Sequence, residues 1–165
     1  MIVQGMQRID SMPKAILDLG TGTGIAAFAA ATVFPEAHIL GIDQSEEMIA
    51  RATEKLDQTD IGRISFIRGN ARSLAYDKQS FDLVVSSNAP IYLDEACRVL
   101  RTGGCLMVVF SFAGVAFTSI EADIKNMLKS YGLELLHLKA QGKGVVIIGK
   151  KQGTLYWKDS QAYHV

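Results

Sequence analysis

The sequence predicts an α/β domain: a doubly wound, mostly parallel sheet with helices on both faces and an antiparallel strand pair at its C-terminal end. Three observations carry this reading. Apolar, β-branched runs alternate along the chain with helix-forming stretches, the order of successive βαβ units. Runs such as Phe81-Asp-Leu-Val-Val85 and Cys105-Leu-Met-Val-Val-Phe110 lack strict polar alternation, as strands buried on both faces do. The last two runs, Leu133 to Leu138 and Val145 to Ile148, are joined through Gly142-Lys-Gly144 with no helix between them. They should therefore form a hairpin at one sheet edge.

The elements follow in order. Ala15-Ile-Leu-Asp-Leu19 is a buried strand, stopped by the glycines at 20, 22 and 24, and alanine-rich Ile25 to Val33 is a helix ending before Phe34-Pro35. His38 to Ile42 is a second strand, halted by Asp43. Ser45 is a good N-cap, Glu46 and Glu47 place negative charge in the first turn, and Met48, Ile49, Ala52 and Leu56 mark an apolar helical face. Ile64 to Ile67 and Phe81 to Val85 are the third and fourth strands. Asp94 to Leu100 is a short helix, terminated by Arg101-Thr-Gly-Gly104 as a glycine cap. Cys105 to Phe110 is the fifth strand, and Ile120 to Tyr131 an amphipathic helix closed by Gly132. The tail after Lys151, with Tyr156, Trp157 and Tyr163, fits none of these elements.

Composition narrows the class. The chain has 165 residues, 48% of them hydrophobic, which suits one domain (residues 1–165, core about 14–150) with a real core. Its formal net charge is zero and no basic stripe is visible, which argues against a nucleic-acid partner. Cys97 and Cys105 are too few for a disulfide framework, and neither they nor His38, His137 and His164 show a metal-ligand spacing. No apolar run is long enough to span a membrane and no signal-peptide plan is present, so a soluble, cytoplasmic setting is expected.

The loop Asp18-Leu-Gly20-Thr-Gly22-Thr-Gly24 follows the first strand, where open α/β sheets bind ligands. It departs from the dinucleotide fingerprint, whose third small residue falls five positions after the first: here Ile25 stands there. Asp18 is also ill suited to a pyrophosphate but apt near a ligand bearing ammonium and sulfonium centres. Asp43 ends the second strand, where a carboxylate meets ribose hydroxyls, or simply shapes a turn before the next helix. Asn70, after the third strand, has the donor and acceptor to read an adenine edge, or forms a turn.

At these residues a family resemblance emerges. Ile16-Leu-Asp-Leu-Gly-Thr-Gly-Thr-Gly24, Leu40-Gly-Ile-Asp-Gln-Ser-Glu-Glu-Met48, Ser80-Phe-Asp-Leu-Val-Val-Ser-Ser87 and Arg98-Val-Leu-Arg-Thr-Gly-Gly104 resemble successive motifs of class I S-adenosylmethionine (SAM) dependent methyltransferases. They are most similar to the ubiquinone/menaquinone-biosynthesis branch, over roughly residues 14 to 150. The resemblance implies a Rossmann-like seven-stranded sheet with an antiparallel last strand, and SAM as cofactor. It implies Asp18, Gly20, Gly22 and Gly24, with Leu19 and Thr21 between them, around the methionine part. It puts Asp43 on the ribose with Gln44 beside it, Met48 against the adenine, Asn70 and Ala71 at the adenine edge, and Ser86 at the end of the fourth strand. The family usually has Asp where this chain has Asn70.

The methyl acceptor and any catalytic residue stay open. Ser86-Ser-Asn-Ala-Pro90 is where an acceptor should approach. Asn88-Ala-Pro-Ile-Tyr92 resembles, with two departures, the Asn-Pro-Pro-Tyr motif of amino-group methyltransferases; the plainer reading is Asn88 as a helix cap with Pro90 in the first turn. The segment from Ser87 to Arg98 is shorter than the family's and lacks its paired histidines. The N-terminal segment is brief too, so either the acceptor is large or a homodimer or the aromatic tail is expected to cover the site. Two rival readings stand beside the enzyme: a non-enzymatic module binding SAM or its demethylated product, and a nicotinamide-dependent oxidoreductase, which Ile25 and Asp18 disfavour.

Overall fold

The computed structural model describes residues 1–111, 121–141 and 144–153. The elements are α1 (Ile2–Met6), β1 (Ala15–Leu19), α2 (Ile25–Val33), β2 (His38–Asp43), α3 (Glu46–Thr53), β3 (Ile64–Arg68), β4 (Phe81–Ser87), α4 (Leu93–Val99), β5 (Leu100–Phe110), α5 (Glu121–Ser130), β6 (Leu133–Gln141) and β7 (Gly144–Lys151). One seven-stranded sheet has the order β3-β2-β1-β4-β5-β7-β6. Strands β3 to β5 pair in parallel, while β7 runs antiparallel to both β5 and β6.

Successive residues of each central strand feed opposite halves of the core. Ile16, Leu83, Val85, Met107 and Ile148 pack toward α1 and α2. Leu17, Val84, Leu106 and Ile147 pack toward α4 and α5, against Ala96, Val99, Ile124 and Leu128. Both faces being covered, the strands need no polar alternation. The buried face of α2 is Ala26, Ala27, Ala30 and Ala31, whose small side chains bring the helix close to the sheet. On α3 the Ser45 hydroxyl accepts the Met48 amide at 3.3 Å, as the capping signal requires.

Three features differ from the sequence reading. The five-residue helix α1, with Gly5 inside it and no side-chain cap, has no periodic signal, yet Met6 is fully buried on the sheet. Helix α4 does not end in a glycine cap: Leu100 already belongs to β5, and residues 101–104 fall inside that strand at a register irregularity opposite Phe81 and Leu83. The carbonyls of Cys97 and Leu100 instead receive the Lys151 ammonium at 2.6 and 2.7 Å, so a cation from β7 closes the helix end. Strands β6 and β7 are also longer than their apolar cores, because cross-strand pairing continues through Gln141 and Gly144. Ile120, residues 142–143 and the aromatic tail lie outside the described residues. Among the described residues no helix is long and apolar enough to cross a membrane.

Candidate cofactor-binding cleft

The chain winds outward from β1 to β3, then returns to β4 on the other side of β1. Strand order therefore reverses between β1 and β4, and their carboxyl ends open into a crevice. A cleft of about 600 Å³ lies there. Asp18, the β1–α2 loop and Asp43 form one wall, and residues 87–90, Tyr92 and Ser111 the other.

Asp18 is the most constrained group in the cleft, with 1% of its surface exposed. Its Oδ2 accepts the Thr21 hydroxyl at 2.6 Å and the Ala27 amide at 3.1 Å, so it serves as the side-chain acceptor for the first turn of α2. Its Oδ1 is buried with no partner. Burial pushes the carboxyl up to about 6, against the pull of the Thr21 and Ala27 bonds, and the nearby Asp43 charge adds to the rise. A buried carboxylate oxygen without a donor is costly, and a cationic group in the cleft would satisfy it.

Asp43 is already engaged. Its Oδ2 accepts the Gly22 amide and its Oδ1 the Ser45 amide, both at 2.9 Å. The turn role and the ligand role considered for this residue coexist: the carboxylate ties the glycine loop to the start of α3, and each oxygen keeps a further lone pair. The loop is also held by the Gly20 and Thr21 amides, which donate to the Ile42 carbonyl at 2.9 and 3.0 Å.

The glycines of the loop differ in purpose. A Cβ on Gly20 would collide with the Ala89 Cβ, so this position is glycine because the β4 end packs on it. Gly22 has φ +53° and a Cβ there would meet nothing within 4 Å, because it faces open cleft. Gly24 starts α2 behind the cleft, where Phe28 and Phe66 leave no room for a side chain.

Of the residues singled out from sequence, Asp18, Gly20, Thr21, Gly22, Asp43, Gln44 and Ala71 line the cleft. Leu19, Gly24, Met48, Asn70 and Ser86 do not. Leu19 points into the core on the α4 and α5 face. Ser86 is fully buried and its hydroxyl donates to the Ala89 carbonyl at 3.4 Å. Met48 is half-buried on α3. The Asn70 Oδ1 accepts the Arg72 amide at 2.9 Å and the Gln44 side-chain amide at 3.2 Å, so Asn70 holds a residue that lines the cleft rather than lining it.

On the acceptor side the structure corrects the helix-cap reading of Asn88. Helix α4 begins after Tyr92 with no side-chain cap. Asn88 instead reaches β5: its Oδ1 accepts the Ser111 amide at 2.7 Å and its Nδ2 donates to the Ser111 hydroxyl at 2.9 Å. It does so in a left-handed backbone conformation (φ 53°), which Asn tolerates better than most residues. Tyr92 lines the cleft, and its hydroxyl accepts the Arg72 Nε at 2.9 Å, joining the loops after β3 and β4. Sequence reasoning missed Ile2 and Ser111, both at the cleft. Ile2 sits on a helix without periodicity, and Ser111 is marked only as the residue after an apolar strand.

A sheet reversing at a glycine loop, with carboxylates at the ends of its first two strands, defines a Rossmann-like small-molecule binding fold. The comparisons specify it further. Residues 11–156 match the family described as a methyltransferase domain, and the chain belongs to that family, in the class I SAM-dependent group that its four motifs resemble. It is 38% identical over 129 residues to a demethylmenaquinone methyltransferase of Lactococcus lactis subsp. lactis, covering 72% of this chain and 51% of that protein. It is 29% identical over 161 residues to an arsenite methyltransferase of Halobacterium salinarum, covering 82% of this chain and 41% of that protein. The chain thus spans about half the length of these curated relatives, or less. The fold is similar to a chain in the complex between the Haloferax volcanii Trm112 methyltransferase activator and a methyltransferase (TM-score 0.78, 19% identity, 91% of this chain and 88% of that one).

Proposed function

We propose that this chain binds SAM in the β1–β4 cleft and transfers its methyl group to an acceptor that enters beside residues 87–90. The observation that carries the reading is the partnerless, buried Oδ1 of Asp18. An anionic acceptor at the cleft wall suits the ammonium of an amino acid, whereas a pyrophosphate placed beside it would be repelled. The first turn of α2, where Ile25 and Ala26 line the cleft, is the positive end of a helix and suits the methionine carboxylate. Asp43 accepts the ribose hydroxyls with its spare lone pairs, keeping both backbone bonds. Gly69, Ala71 and Gln44 form the adenine wall, with Asn70 fixing Gln44.

SAM supplies an electrophilic methyl on sulfur; the protein supplies alignment. The Asn88–Ser111 bonds brace the acceptor wall from within, and the packing of Ala89 on Gly20 ties it to the cofactor wall. Calorimetry of SAM binding to Asp18→Asn tests the assignment. Losing the charge-assisted bond should weaken affinity at least tenfold, on the order of 1.5 kcal/mol or more. Equal affinity would remove Asp18 from the ammonium, and binding without turnover across a broad acceptor screen would favour the non-enzymatic module.

A further inference from the structure

A second concavity, of about 330 Å³, lies between α1 and the outer hairpin. Its floor is Gly5 and Val146, and its polar walls are Gln4, Gln7 and Arg8 from the α1 side and His137 and Lys139 from β6. Helix α1 can sit this low because Gly5 has no side chain: a Cβ there would come 2.6 Å from the Met107 Cε and 3.0 Å from the Val146 Cγ1. His137 and Lys139 are two apart on β6 and pair in register with Ile148 and Val146, so both face α1. Two basic side chains and an imidazole therefore converge from two sides in a chain whose net charge is zero.

No carboxylate lines the concavity among the described residues, and neither Arg8 nor Lys139 forms an ion pair there. Partial burial, and then the Arg8 and Lys139 charges, hold the His137 imidazole below its ordinary value. The two glutamines add amide donors at i, i+3 spacing on α1. The shape is a pocket rather than a stripe, which suits a small ligand better than a nucleic-acid backbone. Its volume is several times the roughly 30 Å³ that one water occupies in the liquid, leaving room for an oxyanion with an attached group.

We infer that this pocket is a binding site for a phosphate group, free or carried on a small molecule, held by Arg8, Lys139 and His137 with the amides of Gln4 and Gln7. It is separate from the SAM cleft: Ile2 of α1 lines the cleft, while Gln4 and Gly5 line the phosphate pocket. The site stands whether or not the cleft binds SAM.

The test is an NMR titration of the full chain at constant ionic strength, following the His137 imidazole and the Gly20 and Gly22 amides. Inorganic phosphate should raise the His137 titration midpoint saturably, because a bound dianion favours the protonated ring, while the cleft amides stay still. Arg8→Gln and Lys139→Gln, both at exposed positions, should each weaken binding about tenfold, as loss of a charge-assisted bond implies. Phenyl phosphate run in parallel distinguishes the source: tighter binding than inorganic phosphate marks a phosphorylated small molecule, equal binding the free ion. Four results would overturn the site. They are no saturable shift by phosphate on the order of 10 mM, the same shift with chloride, undiminished binding in both variants, or movement of the cleft amides in place of His137.

Discussion

At the scale of single residues, Asp18 links folding to ligand chemistry. Its carboxyl is raised from 3.8 to about 6 by burial, so the folded state holds its proton more tightly than the unfolded one. The sign follows: its contribution to stability is full below pH 3.8 and is lost as pH rises through about 6. Other carboxyls oppose this trend. Glu95, for one, is pulled down to about 2 by the Arg98 guanidinium and the Leu74 amide. The clean observable is the stability difference between the parent chain and Asp18→Asn. Denaturant titrations should show that difference moving by roughly 2 kcal/mol between pH 4 and 6.5 in favour of the variant, and a flat difference would mean the carboxyl is not strained. Asp43 gives a second residue-scale expectation. From sequence it is a ribose ligand or a turn residue, and its bonds to Gly22 and Ser45 make it structural. Asp43→Ala should lose about 1–2 kcal/mol of stability along with affinity. Asp43→Asn keeps one of the two backbone bonds and should lose less stability than Asp43→Ala, yet bind S-adenosylhomocysteine about tenfold more weakly. Asp43→Asn with parental affinity in calorimetry would place the ribose elsewhere. Sequence indicated both carboxylates by position. That one is orphaned and the other doubly engaged depends on distances across β1, β2 and α2, which no local pattern encodes.

At the scale of elements, the glycine loop shows what spacing reveals and what it hides. Gly20, Gly22 and Gly24 look equivalent in sequence, yet one abuts the β4 end, one opens on the cleft and one packs under two phenylalanines. Gly20→Ala should be strongly destabilising, because the Ala89 backbone would have to move. Gly22→Ala should cost only about 1–2 kcal/mol, the penalty of a left-handed residue, while losing most of its ligand affinity. Paired melting and binding curves decide this, and a Gly22→Ala chain that binds normally would make the loop a turn and nothing more. The strands and α2, α3 and α5 were legible because they bury continuous apolar faces. The end of α4 was misread, since a Gly-Gly pair signals a cap, whereas the cation that closes the helix comes from Lys151, 54 residues beyond Cys97. Asn88 was misread for the same reason: its partner Ser111 is 23 residues away and meets it only once β4 and β5 lie side by side.

At the scale of the whole molecule, strand order concentrates function. Four motifs far apart in sequence sit at the ends of β1, β2, β4 and α4, and the reversal between β1 and β4 brings the loops after the first three strands and the β4 end around one cleft. A ligand held in that cleft should stabilise the molecule by mass action. The central claim is that this cleft recognises SAM and its product. It is tested most directly by thermal melting with S-adenosylhomocysteine, with a dinucleotide at equal concentration alongside. At 100 times its Kd the product should add about 2.7 kcal/mol, raising Tm by roughly 5–10 °C for a chain of this size, while the dinucleotide does nothing. An unchanged Tm at millimolar S-adenosylhomocysteine, or a larger rise with the dinucleotide, would contradict the account.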